Sequence, residues 1–316
     1  MLSIELSIPA FIAGVALLYK GSDILVDGTS KTAARLGVST LIISLVIVAF
    51  GTSAPEFAIS VGAAVQHNAG ISLGNIIGSC IANLLLVIGL SAIIRPIRVN
   101  KSIIKREMPI LLIVTVMFLV VTLLGLLDTF HFIGSAIFLV SFALFIAYFI
   151  RCAKKERITK NTYNDGKTIK NTLFVIFGIL GVVIGAWLLI ESATCIADFF
   201  GIPAIIIALS MVAIGTSLPE LVVSAMAAYK EESDIAVGNV LGSNVFNILL
   251  ILGVGTLFIP LDALGSLDHI VFLLAVTIFM IPILFSGHNI SRVEGGVLLA
   301  LYVIYIVYTF RFMLFL

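Results

Sequence analysis

The stretch VAFGTSAPEFAIS at residues 48–60 recurs, with small changes, as VAIGTSLPELVVS at residues 212–224. The same offset aligns ISLGNIIGSCIANLLLVIG at 71–89 with IAVGNVLGSNVFNILLILG at 235–253. Over residues 48–96, 20 of 49 positions are identical without a gap, and many of these identical residues are polar. Because an internal repeat marks a duplicated structural unit, the chain is predicted to consist of two related halves.

The composition restricts the class of protein. Of 316 residues, 61% are hydrophobic and only 11% are charged, with a formal net charge of +1. A soluble enzyme needs more charged surface than this, and a nucleic-acid-binding protein needs a basic excess. The chain is therefore predicted to be an all-α, multi-pass membrane protein in contact with the lipid bilayer.

Apolar runs bounded by polar residues predict ten transmembrane helices in two halves. The first five helices occupy residues 1–150, the second five occupy 172–316, and a polar linker at 151–171 joins them. Since each half has an odd number of helices, the second half is predicted to be inverted relative to the first. The predicted spans are 8–27, 40–65, 71–94, 109–127, 132–150, 172–197, 204–229, 235–259, 269–286 and 293–315.

The distribution of Lys and Arg predicts the orientation in the membrane. Sixteen of these residues lie in the connections that follow helices 1, 3, 5, 7 and 9, whereas the opposite connections and the termini carry only Arg311. Because cytoplasmic loops are enriched in Lys and Arg, the linker is predicted to be cytoplasmic. Both termini are predicted to lie outside the cell membrane.

Two acidic residues fall in the middle of predicted transmembrane helices, at matching positions of the repeat. A carboxylate at that depth costs about 2.5–3.5 kcal/mol on insertion scales. Neither Glu56 nor Glu220 has a Lys or Arg at a comparable depth of its own helix. The natural counter-charge for the pair is therefore a metal ion or a proton.

A proline precedes each of these glutamates and predicts a break in the helix. Pro55 and Pro219 have no N–H group, so the carbonyl four residues earlier loses its helical donor, and the Gly-Thr-Ser segment is expected to unwind. Non-helical backbone at membrane depth is tolerated where it lines a cavity or binding site. Thr52 and Thr216 lie four residues before the glutamates, on the same helical face. Carboxylate, carbonyl and hydroxyl oxygens suit Ca²⁺ or Na⁺.

The following helix of each half carries a row of polar side chains at a spacing of four residues, which places them on one face. These side chains are interpreted as further oxygen ligands. The alternative, that they only form hydrogen bonds between helices, has more weight for the two asparagines nearest the start of each row. The rows are Asn75, Ser79 and Asn83 in the first half and Asn239, Ser243 and Asn247 in the second.

Acidic residues outside the repeated motifs are predicted to lie in solvent or at the membrane interface. Asp23, Asp27 and Glu191 lie near the ends of predicted helices, where this position is favoured over the alternative of a vestibule that attracts cations. Glu231, Glu232 and Asp234 are predicted to form a solvated cluster in a cytoplasmic turn.

The two G-T-S-x-P-E segments, each followed by G-N-x-x-G-S-x-x-x-N, resemble the paired repeats of the calcium/cation antiporter superfamily, and most closely those of prokaryotic sodium/calcium exchangers. The resemblance covers the whole chain. It implies four cation sites between helices 2, 3, 7 and 8, with helices 1 and 6 sliding across this core. It also implies that Ca²⁺ and Na⁺ are cargo and that no cofactor is needed.

The resemblance assigns roles residue by residue. Glu56 and Glu220, with the carbonyls of Thr52 and Thr216, would hold Ca²⁺. Asn83 and Asn247 would complete the central position; potassium-dependent members carry Asp at the position of Asn247, so Asn there argues against potassium coupling. Na⁺ would use the same glutamates with Ser53, Ser217, Ser79, Ser243 and the carbonyls of Ala49 and Ala213.

The sequence therefore predicts a sodium/calcium antiporter that extrudes Ca²⁺ in exchange for several Na⁺, acting as a monomer and not as an enzyme. The first alternative is a Ca²⁺/H⁺ antiporter that uses the same glutamates as proton sites. A cation channel or a cation sensor is the second alternative, but paired helix breaks in an inverted repeat favour a transporter.

Overall fold

The structure is a computed structural model that describes residues 4–159, 168–200, 215–285 and 288–314. Within these ranges, eight helices are long and apolar enough to cross a membrane, or nine when a bent pair is taken as one span. The predicted all-α fold class is therefore confirmed, whereas the ten spans and the inversion of the halves stay predictions. The helices are α1 (Ile4–Leu36), α2a (Thr40–Thr52), α2b (Ala54–Val65), α3 (Ala69–Ile94), α4 (Ile103–Leu123), α5 (His131–Thr159), α6 (Thr168–Phe199), α7 (Leu218–Tyr229), α8 (Ser233–Phe258), α9 (Leu267–Phe285) and α10 (Arg292–Leu314).

Several helices extend beyond their apolar runs. α1 continues as far as Leu36, and α5 continues into the predicted linker as far as Thr159. Lys, Arg and Glu have good helix propensity, so a helix does not end where its hydrophobic stretch ends. α7 has 12 residues, and the first part of the predicted span 204–229 lies outside the described residues as far as position 214.

Connections that were predicted to share one side of the membrane contact each other. A short antiparallel pair of strands joins the α3–α4 connection to the α9–α10 connection, with Ile97 opposite Ile290. Arg95, after α3, forms an ion pair with Glu231, in the α7–α8 turn. On the opposite side, the backbone N–H of Leu261 donates to the carbonyl of Leu127, which joins the α8–α9 connection to the α4–α5 connection (2.7 Å).

The core of the protein is formed by α3 and α8, which are packed between α2a, α2b and α7. Of the apolar stretch of α8, 94% is buried inside the protein, against 22% for α1 and for α10. α8 lies directly against α2a because Gly242 has no side chain: a Cβ there would lie 2.3 Å from the carbonyl oxygen of Leu45. Such close approach through small residues is typical of membrane helices.

α1 and α6 form a second unit at the side of this core. A Cβ on Gly21 would lie 2.8 Å from the backbone nitrogen of Val182, and a Cβ on Gly178 would lie 2.7 Å from the Cα of Leu25. The two helices therefore touch through their backbones along a line of glycines. Gly14, Gly28 and Gly185 are equally close to the facing helix.

Candidate functional site

The helix break beside the first glutamate involves a single residue. α2a ends at Thr52, Ser53 has φ −81° and ψ 9°, and α2b begins at Ala54 at an angle of 48°. Ser217 has nearly the same conformation (φ −86°, ψ 8°) before α7. The expected unwinding of the whole Gly-Thr-Ser segment is therefore wrong for the first half. Proline removes one N–H donor and is compatible with the first turn of a helix, so helical geometry resumes at once.

The two glutamates are fully buried and each is bound by a serine of the other half. The hydroxyl of Ser53 donates to Oε1 of Glu220 at 2.9 Å, and the hydroxyl of Ser217 donates to Oε1 of Glu56 at 3.4 Å. Each serine stands at the break of its own helix. There, its hydroxyl reaches the carboxylate of the other half. The crossed bonds bring the two acidic groups into one site.

Neither carboxylate has a basic partner in the part of the chain that the structure describes. The ion pairs found there involve other acidic residues. The second oxygen, Oε2, of Glu56 and of Glu220 has no hydrogen-bond partner among the described residues. A buried pair of carboxylates with free oxygens needs a cation or protons to offset its desolvation.

The asparagines at the start of each polar row act as structural braces. Asn75 donates to the hydroxyl of Ser60 (2.8 Å) and to the carbonyl of Glu56 (3.4 Å), and its Oδ1 accepts from Thr216 (3.3 Å). Both the NH₂ group and the oxygen of the Asn75 amide are engaged in hydrogen bonds. Asn75 therefore fits the interpretation that it joins helices, and not the interpretation that it is a cation ligand. In the second half, Asn239 forms the same contacts with Ser224 (3.1 Å), the carbonyl of Glu220 (3.4 Å) and Thr52 (3.1 Å).

The serines of the two rows are less symmetrical. Ser243 donates to Oε1 of Glu220 at 3.2 Å. Ser79 is instead in contact with the hydroxyl of Thr216 at 3.2 Å. Glu220 thus accepts hydrogen bonds from two serines, whereas Glu56 accepts one from Ser217 among the contacts described.

The last asparagine of each row begins a π-helical turn, Asn83–Val87 in α3 and Asn247–Ile251 in α8. Such turns are rare in helices and are frequent at functional sites. Asn83 donates to Oδ1 of Asn244 at 3.0 Å. Its own Oδ1, and both polar atoms of the Asn247 side chain, are buried without a partner among the described residues.

The structure brings eleven of the twelve predicted site residues into this buried region. Ala49 is among them, and its carbonyl accepts from the backbone N–H of Ser53 (3.0 Å) and from the hydroxyl of Thr52 (3.3 Å). Ala213 lies outside the described residues. Within the described ranges, no three His, Cys, Asp or Glu side chains converge, so the charged groups of the site are two carboxylates supplemented by neutral oxygens.

Three contributing residues were missed by sequence reasoning. Ser60 and Ser224, which brace the asparagines, are identical across the repeat, so this signal was available in the sequence. Asn244, which binds Asn83, aligns with Cys80 in the other half, so the repeat provides no such signal.

Comparisons with known proteins agree over nearly the whole chain. The sequence profile of the sodium/calcium exchanger protein family matches residues 6–151 and 170–311. The sodium/calcium exchanger MaX1 of Methanosarcina acetivorans is 33% identical over 94% of this chain and 96% of its own length. An uncharacterized membrane protein of Methanocaldococcus jannaschii is 36% identical over 95% of this chain and 96% of its own length. The solved structure of the sodium-calcium exchanger NCX_Mj soaked with zero Na⁺ and Ca²⁺ matches with a TM-score of 0.85 at 36% identity, and covers 97% of this chain and 99% of that chain.

Proposed function

Because the chain belongs to the sodium/calcium exchanger protein family, we propose that it is an antiporter that extrudes Ca²⁺ from the cell in exchange for several Na⁺. The observation that carries the proposal is the pair of buried glutamates, each bound by a serine of the other half and without a basic partner among the described residues. One site of this composition can be neutralised by either cargo.

The charge of the site explains the exchange. Two carboxylates supply a charge of about −2, which one Ca²⁺ or two Na⁺ can neutralise, and neutral oxygens can hold further Na⁺. Since the two loads share the same carboxylates, they exclude each other. When cations are bound, the occluded state has a low free energy because the charges of the site are offset. When the site is empty, the occluded state has a high free energy because two buried charges are uncompensated. This difference suppresses flux without counter-transport.

The ligand assignment that we propose is the one that the resemblance to the family implies. Ca²⁺ is held by Glu56 and Glu220 with the carbonyls of Thr52 and Thr216. The Na⁺ positions add four serine hydroxyls and two alanine carbonyls to the same glutamates, and Asn83 and Asn247 flank the centre. The free Oε2 atoms of both glutamates and the free amide atoms of both asparagines support this assignment. The residues that complete the Na⁺ positions are Ser53, Ser217, Ser79, Ser243, Ala49 and Ala213.

Alternating access is provided by α1 and α6, which slide across the core in a chain of ten spans and two inverted halves. The backbone contact between α1 and α6 supports their motion as one unit. The contacts among connections, each joining loops expected on one side, support the predicted alternation of spans. The transporter acts as a single chain in the cell membrane, with the linker in the cytoplasm and both termini outside.

A Ca²⁺/H⁺ antiporter is the second candidate, because the unpartnered Oε2 atoms of both glutamates can also accept protons. In that case each carboxylate gives up a proton when Ca²⁺ binds. The two candidates differ in the gradient that drives Ca²⁺ flux.

The test uses the purified chain in proteoliposomes that are loaded with Na⁺ and diluted into ⁴⁵Ca²⁺. We expect uptake that requires the Na⁺ gradient, and we expect Glu56→Gln and Glu220→Gln each to reduce it more than 100-fold, because one carboxylate cannot neutralise Ca²⁺. Glu231→Gln, in an exposed turn, is the matched control and keeps the parental rate. Parental uptake in both site variants contradicts the proposal, and uptake driven by a pH gradient without Na⁺ selects the second candidate.

A further inference from the structure

Asn244 lies beside the site, on α8, and its amide can have only one orientation. Its Nδ2 donates to the backbone carbonyl of Cys80 at 3.1 Å. A carbonyl oxygen accepts hydrogen bonds and cannot donate them. The Nδ2 atom must therefore face the carbonyl of Cys80, and the Oδ1 atom of the same amide is left as an acceptor for another donor of α3.

This orientation is passed on to Asn83. Oδ1 of Asn244 accepts from Nδ2 of Asn83 at 3.0 Å. The NH₂ group of Asn83 is thus engaged, and its Oδ1 is the atom left free, fully buried and without a partner in the described part of the chain. An amide oxygen is a ligand for Na⁺ or Ca²⁺, whereas an amide NH₂ group repels a cation.

In the other half of the site a thiol takes the place of this amide, and it donates to the backbone carbonyl of Asn244 at 3.9 Å. The repeat aligns Asn247 with Asn83 and aligns Cys80 with Asn244. A thiol is only a weak hydrogen-bond donor and acceptor. The Asn247 side chain lies against the thiol of Cys80. Neither Nδ2 nor Oδ1 of Asn247 has another hydrogen-bond partner among the described residues, so only this weak contact acts on the orientation of the amide.

We propose that Asn244 is a positioning residue that fixes the amide of Asn83 with its oxygen toward the transported cation, and that the thiol of Cys80 holds the equivalent amide of Asn247 less firmly. This inference rests on the proposed function, because it concerns the same site. It makes the two halves of the site unequal: one asparagine is a fixed oxygen ligand and the other adapts to the load.

The experiment compares three variants with the parent in the ⁴⁵Ca²⁺ uptake assay, with dithiothreitol present. Asn244→Cys removes the amide that orients Asn83. The double variant Cys80→Asn/Asn244→Cys exchanges the two side chains, so that the amide lies in the other half and the amino-acid composition is unchanged. Ser91→Ala is the control, because the Ser91 hydroxyl is buried on α3 without a described partner. Partners that orient a ligand typically change metal affinity by about 10–100-fold when removed.

We expect Asn244→Cys to raise the Ca²⁺ concentration for half-maximal uptake about tenfold while the maximal rate stays within about twofold. The double variant should return to within about threefold of the parent, and Ser91→Ala should match the parent. The inference is overturned if Asn244→Cys has the same apparent Ca²⁺ affinity as the parent. It is also overturned if the single and the double variant have equally low affinity, because the double variant should regain affinity only if the amide orients a ligand.

Calorimetric titration of the same purified proteins with Ca²⁺ separates this inference from the proposed function. If the parent binds Ca²⁺ without exchanging it, the proposed function fails, and the weaker binding expected of Asn244→Cys still tests the role of Asn244. If the parent neither binds nor transports Ca²⁺, both proposals are overturned.

Discussion

The α1–α6 pair and the core around α3 and α8 are held together by different chemistry. α1 and α6 meet through glycines, with backbone against backbone, as at Gly21 and Gly178. The core helices also approach closely at small residues such as Gly242, but buried hydroxyl, amide and carboxylate groups there bind each other across the two halves as well. Van der Waals contact has no preferred partner, whereas each hydrogen bond does.

This difference separates the parts that hold a cation from the parts that move. A polar network with directed bonds keeps ligands in place, which binding requires. The close backbone contact between α1 and α6 keeps the two helices together when they shift as one body. In the proposed mechanism, damage to the core should therefore weaken binding, and damage to the α1–α6 pair should slow transport at nearly unchanged binding.

The largest effect outside the glutamates is expected from a side chain in the α1–α6 contact. Gly178→Val places a Cβ about where the Leu25 backbone stands, since the distance would be 2.7 Å. Overpacking of this kind costs about 1–3 kcal/mol and would separate the two helices. We expect the rate of ⁴⁵Ca²⁺ uptake to fall more than tenfold while the Kd for Ca²⁺ stays within about threefold.

Gly296→Val is the matched control for this variant, because a Cβ on Gly296 meets no described atom within 4 Å. It should keep the parental rate. If Gly178→Val also transports at the parental rate, or if its Ca²⁺ binding is lost together with transport, the separation of moving and binding parts is wrong.

A second, smaller effect is expected from the braces of the core. Asn75→Leu removes the NH₂ group that donates to the hydroxyl of Ser60 and the carbonyl of Glu56, and removes the oxygen that accepts from the hydroxyl of Thr216. A buried group left without its hydrogen bond costs about 1–3 kcal/mol. We expect the Kd for Ca²⁺ to rise about tenfold. Asn239→Leu should give an equal change, because its contacts repeat those of Asn75.

Titration calorimetry on both variants tests whether their Kd values for Ca²⁺ change equally. Ser72→Ala is the control, because the buried hydroxyl of Ser72 has no partner among the described residues. A difference of more than tenfold between the two asparagine variants would show that the braces are not equivalent. An unchanged Kd in both would show that the network does not support the site.

The membrane helices and the polar ligands could be predicted from sequence for definite reasons. Apolar runs separated by polar residues indicate spans, because a bilayer requires about 20 apolar residues per helix. Glu56 and Glu220 were recognisable because they are the acidic residues in a repeated, otherwise apolar context. The repeat also aligned the serines that the structure finds on the opposite carboxylates.

Other features depend on contacts that a single sequence does not contain. Asn244 was missed because its role depends on where the carbonyl of Cys80 lies. The break at Ser53 is shorter than expected because Pro55 falls in the first turn of α2b, where a helix needs no N–H donor from it. Asp23 and Asp27 were expected in solvent or at the interface, and the structure pairs both with Lys230, more than 200 residues away.

The smallest effect is expected from this last contact, which ties α1 to the core. Lys230, in the α7–α8 turn, is 2.6 Å from a carboxylate oxygen of Asp23 and 2.6 Å from one of Asp27. Burial lowers the pKa of Lys230, but the two aspartates outweigh this and raise its pKa above the usual value, so the lysine stays charged at neutral pH. The tie is therefore present in the state that the structure shows, and α1 must break it to move away.

Lys230→Gln should release this tie. Partly exposed ion pairs are worth about 0–1 kcal/mol each, so we expect turnover to increase about two- to fivefold, with no change in the Kd for Ca²⁺. Arg95→Gln is the matched control: it removes the pair with Glu231, which joins two connections of the core and does not involve α1, and it should leave turnover unchanged. Equal turnover in Lys230→Gln and in the parent would mean that the departure of α1 from the turn does not limit transport, and the comparison between a fixed core and a moving pair would then rest on the glycine contact alone.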